Sequence, residues 1–431
     1  MTNARILPTL LLASLVVWLA APPLAAKEDG QSVLNLTLGD PARKDRQVEL
    51  VLDGITDTRT GEVIVPSDLP GKVADARLLL VGETHTNIDF HNVQQRIIEE
   101  LHRAGRKVMI GLEMYPYTEQ EYLDQWSRNL LTEEGFLEIS GWYKNWGYPW
   151  KYYRDIFLFA RDNGLKIYAL NTPREVVRAV RQKGFDELTD EQRVHIPEQI
   201  DTDSEEHVTL FKAIFEEDED SDFHASLPEP ALRSMFDAQC TWDAAMGFKS
   251  VKALQEHDDD PNAILVVMVG AGHLAYDLGI QRQVKQWYDG RVASVIPISV
   301  GDICDPVDNV QASYADFIWG VPPEVDPIYP ALGFSTSEDK KTGRRKVIYV
   351  AKDSPGKNAG IKMGDRLLSF DGVKIEDRET LMKLVADKRW GDSAEFVVTR
   401  GDETVELLVN FRRTRPEPCD EDEEENGGEE Q

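Results

Sequence analysis

Along this chain, short continuous apolar runs alternate with longer stretches of helical spacing. The short runs fall at residues 78–81, 108–112, 166–170, 264–269 and 292–298. Runs of this length without polar alternation suit strands covered on both faces, as in a parallel sheet. Between residues 89 and 104, Phe90, Val93, Ile97, Ile98 and Leu101 recur at three- and four-residue intervals, and the pattern stops at Gly105. That spacing predicts an amphipathic helix. Further helices are predicted over 119–129, 133–139, 157–163, 173–182, 190–215 (one or two), 230–257 and 277–288. Residues 57–64, with Thr60-Gly61 between short apolar pieces, read as a hairpin. Strands separated by helices imply parallel pairing through right-handed crossovers. The fold class expected for residues 53–300 is therefore α/β, a mostly parallel sheet flanked by helices. Residues 27–50 read as a loosely ordered lead-in.

Four of the strand-like runs end in polar groups. Glu83 and His85 follow the first, two residues apart and so on one side of an extended chain. Glu113 ends the second, Asn171 the third, and Gly270-Ala271-Gly272-His273 follows the fourth. In a parallel sheet these ends share one edge, where open α/β sheets form their sites. Two carboxylates, two imidazoles and an amide in one cleft suit acid–base chemistry or metal ligation. The competing reading is that they cap helices and bridge loops. Recurrence at four strand ends argues against it.

Residues 1–26 carry Arg5 as their only charged side chain, a mostly apolar core, and Pro22-Pro23 before Leu24-Ala25-Ala26. This is the pattern of a secretory signal, its core shorter than the roughly 20 residues of a spanning helix. The expectation is a secreted protein, periplasmic in a Gram-negative host, with no cysteine at the cleavage site for lipid attachment. A formal net charge of −29 argues against nucleic acid or an anionic membrane surface as partner. The cysteines are Cys240, Cys304 and Cys419; the first two could pair in an oxidising compartment. No CxxC motif is present.

Rings crowd residues 141–156: Trp142, Tyr143, Trp146, Tyr148, Trp150, Tyr152 and Tyr153. Together with Gly82-Glu83-Thr84-His85-Thr86-Asn87, Gly111-Leu112-Glu113, Leu170-Asn171-Thr172-Pro173 and Gly270-Ala271-Gly272-His273, this stretch resembles the ChaN-like haem-binding proteins. They belong to a superfamily that includes Tiki proteases and erythromycin esterases. The resemblance spans about residues 53 to 300. It implies haem binding linked to iron uptake, with a tyrosine as iron ligand. A phenolate is a workable axial ligand for ferric haem, and Tyr143, Tyr148, Tyr152 and Tyr153 are the candidates; the bland alternative for each ring is packing. This chain lacks the lipoprotein cysteine often found in that family. The esterase branch implies a His acting as base on water, oriented by Glu; the Tiki branch implies a divalent transition metal. On either, Glu83, His85, Glu113 and His273 are the catalytic residues or metal ligands.

Residues 301–327 are Pro-rich and acidic and read as a linker or a loop packed on the first domain. Ala331-Leu332-Gly333-Phe334 then resembles the carboxylate-binding loop of PDZ domains, and residues 353–368 the bacterial PDZ signature. A small α+β PDZ domain is predicted over 328–412, with strands at 347–350, 395–400 and 404–410 and a helix at 379–387. Its groove would add an extended partner C-terminus as a strand beside Phe334, the amides of Leu332, Gly333 and Phe334 holding the carboxylate. A degenerate groove would serve a homodimer instead. Residues 413–431 form an acidic tail expected to be disordered. Two functions stand side by side: a haem-binding uptake protein tethered by its PDZ module, and a hydrolase to which that module presents substrate.

Overall fold

A computed structural model describes residues 32–217, 228–301, 307–323 and 327–413. The expected signal segment, Cys304, Cys419 and nearly all of the acidic tail lie outside the described residues. These residues group into two compact units, one of 329–412 together with 147–149, the other of the remainder.

The larger unit is built on strands β1 (Gln47–Glu49), β2 (Ile55–Asp57), β3 (Glu62–Ile64), β4 (Ala76–Glu83), β5 (Lys107–Pro116), β6 (Lys166–Asn171), β7 (Ala263–Gly270), β8 (Arg291–Ser299), β9 (Asn309–Gln311) and β10 (Phe317–Val321). Its main sheet runs β3-β2-β10-β8-β4-β7-β5-β6. From β10 to β6 all pairs are parallel, and the β2–β3 hairpin joins β10 antiparallel. β1 and β9 form a separate pair. β4 and β7 lie at the centre, and all eight residues of β7 are buried. This is why the two strands read as unbroken apolar runs.

The polar stretch after β4 ends where Asn87 caps the next helix, Ile88–Arg103, accepting from the amides of Asp89 and Phe90. The sequence places this helix closely, and likewise Gln120–Ser127, Glu133–Ile139, Arg174–Lys183 and Glu229–Gln255. It fits other stretches less well. The helix expected at 277–288 shrinks to Ile280–Val284, because Tyr276 and Asp277 both adopt φ near +60°. The region 190–215, expected as one or two helices, holds two, Asp190–Arg193 and Glu205–Glu217. Within the stretch read as linker or packed loop, 309–311 and 317–321 are strands, and every residue of β10 is buried. The lead-in is no loose segment either, since Val33, Leu34, Leu36, Val48 and Leu50 are buried.

The smaller unit holds β11 (Phe334–Glu338), β12 (Arg345–Val350), β13 (Arg366–Phe370), β14 (Val373–Lys374), β15 (Ser393–Arg400) and β16 (Glu403–Asn410), ordered β11-β12-β13-β15-β16 with β14 on β13. Helices Pro355–Asn358 and Arg378–Ala386 accompany it. It has its own core, with Phe370, Phe396 and Phe411 almost wholly buried.

Candidate functional site

The end of β4 builds the first network. Oε1 of Glu83 lies 2.7 Å from Nδ1 of His85 and accepts the Tyr153 hydroxyl at 2.6 Å. Its Oε2 accepts the Gln94 amide at 2.7 Å and stands 3.6 Å from Nδ1 of His91. Gln94 and His91 come from the buried face of helix Ile88–Arg103. Burial works to raise the Glu83 carboxyl, but His91, His85 and Tyr153 outweigh it and hold it at about 2. Glu83 is therefore an anion that orients His85. The His85 ring also meets Trp146 edge-on, centroids 4.7 Å apart.

The ends of β5 and β7 build the second. Oε2 of Glu113 accepts the amide of Gly270 at 2.8 Å, and Oε1 lies 3.3 Å from Nε2 of His273. On the other side of that ring, Oδ1 of Asp243 is 2.5 Å from Nδ1. Burial works against charge on His273, yet Glu113 and Asp243 outweigh it and push the imidazolium to about 10. Beyond Asp243, the ring of His207 lies 3.8 Å from Oδ2; burial chiefly lowers His207 to about 4, so it is neutral at pH 7. Asn171 donates to the backbone carbonyl of Glu113 at 2.9 Å and so holds the end of β5 in place.

The two networks meet at Gly270. A Cβ there would fall 3.2 Å from Cε1 of His85 and 3.7 Å from Oε2 of Glu113. The four strand-end residues thus share one neighbourhood, but as two carboxylate–imidazole pairs, each carboxylate facing its own ring. Among the described residues, no three His, Cys, Asp or Glu side chains are grouped to hold a metal ion. Glu83, His85, Glu113 and His273, expected as catalytic residues or metal ligands, stand here as those two pairs. Asp243, Gln94 and His91 were missed as site members, and Tyr153, expected as a haem-ligand candidate, is instead a partner of Glu83. The available signal was polarity: His91 and Gln94, and Asp243, are polar positions on the buried faces of their helices.

The aromatic stretch is mainly core. Trp142 and Tyr153 are 0 % exposed, Trp150 and Tyr152 3 %; Trp150 packs with Trp126, Phe136 and Phe157, Trp142 with Trp150 and Tyr153, and Tyr152 against His91. With its hydroxyl on Glu83, Tyr153 is poorly placed for iron. Tyr143 and Tyr148 are half-buried, and their phenols fit the donor that ferric haem takes.

In the smaller unit, Gly333 has φ +68°, and a Cβ there would fall 2.1 Å from that of Ser354. Only glycine fits this turn. The Leu332 carbonyl accepts the amide of Gly356 at 2.9 Å, tying the loop to the helix that Ser354 caps. Buried Asp365 takes two bonds of 2.8 Å from Arg400. Phe334 opens β11, which pairs with β12 alone among the described residues. Its outer edge suits strand addition.

A family model described as haem-binding uptake, Tiki superfamily, ChaN matches residues 69–284, and one for the PDZ domain matches 330–411. Among solved structures, ChaN of Campylobacter jejuni with cofacially bound haem is similar at 19% identity; the match covers 62% of this chain and 95% of that one, with a TM-score of 0.47. The HtrA-type protease AlgW with a decapeptide is 26% identical over 21% of this chain and 31% of its own, with a TM-score of 0.19. Protein RETICULATA-RELATED 5, chloroplastic, of Arabidopsis thaliana is 28% identical over 133 residues, 28% of this chain and 17% of that protein. Serine protease Do-like HtrA of Lactobacillus helveticus is 31% identical over 65 residues, 15% of this chain and 16% of its own. The chain spans about a sixth of the length of these curated relatives.

Proposed function

We infer the function of this chain from its family: it belongs to the ChaN haem-binding uptake family of the Tiki superfamily and carries a PDZ domain. It is an exported haem-binding protein of haem or iron uptake, periplasmic in a Gram-negative host. Its PDZ groove captures the C-terminus or an extended segment of a partner. Within the structure, the observation that carries the haem reading is the division of the aromatic stretch. Five rings close a core, while Tyr143 and Tyr148 keep partial exposure. Bound haem would supply the ferric centre; a phenolate from one of these two would hold it, and the buried rings would keep that segment rigid. Haem titration with absorption spectroscopy tests this. The unaltered chain should give a saturable, high-spin, tyrosinate-like spectrum, and either Tyr143→Phe or Tyr148→Phe should abolish that signature. Both variants binding with an unchanged spectrum would overturn the assignment.

A second reading, a Tiki- or esterase-like hydrolase, is favoured by one observation. Glu83 holds Nδ1 of His85 at 2.7 Å, the arrangement that turns an imidazole into a base toward water. Replacing His85 and His273 by Ala should then abolish ester hydrolysis while haem affinity persists. Hydrolysis that survives both replacements sinks this reading.

A further inference from the structure

Away from the two carboxylate–imidazole networks, one cation sits at the same edge of the sheet without a carboxylate. Lys249 lies on helix Glu229–Gln255 and is half-buried. Among the described residues it makes no ion pair; burial, with Lys252 nearby, pushes its ammonium below the usual lysine range. Its Nζ stands 3.4 Å above the ring of Tyr117. The Tyr117 hydroxyl lies 2.7 Å from Nδ1 of His195, and the His195 carbonyl accepts from Thr172 Oγ1 at 2.9 Å. Tyr117 directly follows β5 and Thr172 directly follows β6. The cluster therefore occupies the strand edge that also holds Glu113 and Asn171.

The helix ties it to the site already described. Lys249 comes seven residues after Trp242, which places both on one face, about 10 Å apart along the axis. Trp242 is itself half-buried and meets the His273 ring edge-on, centroids 6.4 Å apart. On that face Trp242 and Lys249 are partly exposed, with Ala245 and Met246 buried between them. Half-burying an ammonium without a counter-charge is costly. The Tyr117 face offsets part of that cost, about 0.5–2 kcal/mol for such a contact. Acids are plentiful in this chain, 77 against 48 basic residues, yet among the described residues none forms an ion pair with this lysine.

We propose that Lys249, with Tyr117 and His195, is an anion subsite that receives a carboxylate of the ligand bound at this edge. The assignment rests on the haem reading, under which that carboxylate is a haem propionate. The test titrates haem and haem dimethyl ester, whose propionates are blocked, into the full chain and into K249M, K249Q and K249R. K249M and K249Q should bind haem about tenfold more weakly, as expected for loss of one charge-assisted contact. Their Soret band should be unchanged, and K249R should restore most of the affinity. The dimethyl ester should bind all four chains alike. The subsite is overturned if K249M and K249Q bind haem as tightly as the unaltered chain, or if they lose the ester in the same proportion, as a folding defect would cause. If the unaltered chain takes up no haem, the haem reading itself fails, and the propionate assignment with it.

Discussion

Glu83 and His273 are two buried charges of opposite sign, and each leaves its own mark on stability against pH. The folded-state carboxyl of Glu83 is held at about 2, below its ordinary 4.5. Its contribution is full above pH 4.5 and is lost as the pH falls from there toward 2. For His273 the folded-state value is raised from 6.5 to about 10. That contribution is full below pH 6.5 and is lost as the pH rises toward 10. Calorimetric melting from pH 6 to 10 should therefore show a falling alkaline limb. In Asp243→Asn that limb should flatten, with a lower melting temperature at pH 6; an alkaline limb of unchanged slope would remove Asp243 from the role. Glu83→Gln should cost on the order of 3 kcal/mol in denaturant unfolding at pH 7, because it strips the charge from a buried network in which three donors bond the carboxylate. At this scale the sequence shows Glu83, His85, Glu113 and His273, since each follows an apolar run. It conceals the bonds of Asp243 to His273 and of Tyr153 to Glu83, which span 30 and 70 positions of sequence. Only tertiary packing brings such residues together.

Among the elements, the parallel strands were legible because burial on both faces leaves an unbroken apolar signature. β10 was not. Its five residues, Phe317-Ile318-Trp319-Gly320-Val321, stand among prolines and acids that read as a connector. Burying all five between β8 and β2 is a property of the sheet order, which periodicity does not carry. A chain ending at residue 300 would thus expose the edge of β8 and should be insoluble or fail to melt cooperatively; a sharp native-like transition in that fragment would contradict the placement of β10. At the other key strand, Gly270→Ala would set a methyl 3.2 Å from His85. The fold should survive at a cost of about 1–3 kcal/mol, the usual penalty of overpacking. The ring signals of His85 should shift in nuclear magnetic resonance spectra, and unshifted signals would mean that the contact is slack.

Seen as a whole molecule, the described residues form two units, and the smaller has its own core around Leu332, Phe370, Phe396 and Phe411. Residues 328–413 made alone should therefore fold, showing one cooperative transition and retained binding of a C-terminal peptide; a fragment that does not melt cooperatively would show that this core depends on the rest. The larger unit has a different character. Among the described residues, its β2–β3 hairpin, one of the first pieces of the domain in sequence, pairs with the rest of the main sheet through β10, one of the last: Asp57 pairs with Phe317. Closing so long a loop delays the contact that rewards it. On the ribosome this hairpin must wait, unpaired, until nearly the whole domain has been synthesised. The final stitch of the sheet therefore belongs to the slowest phase of folding, and that is when a binder of exposed strands would find this chain.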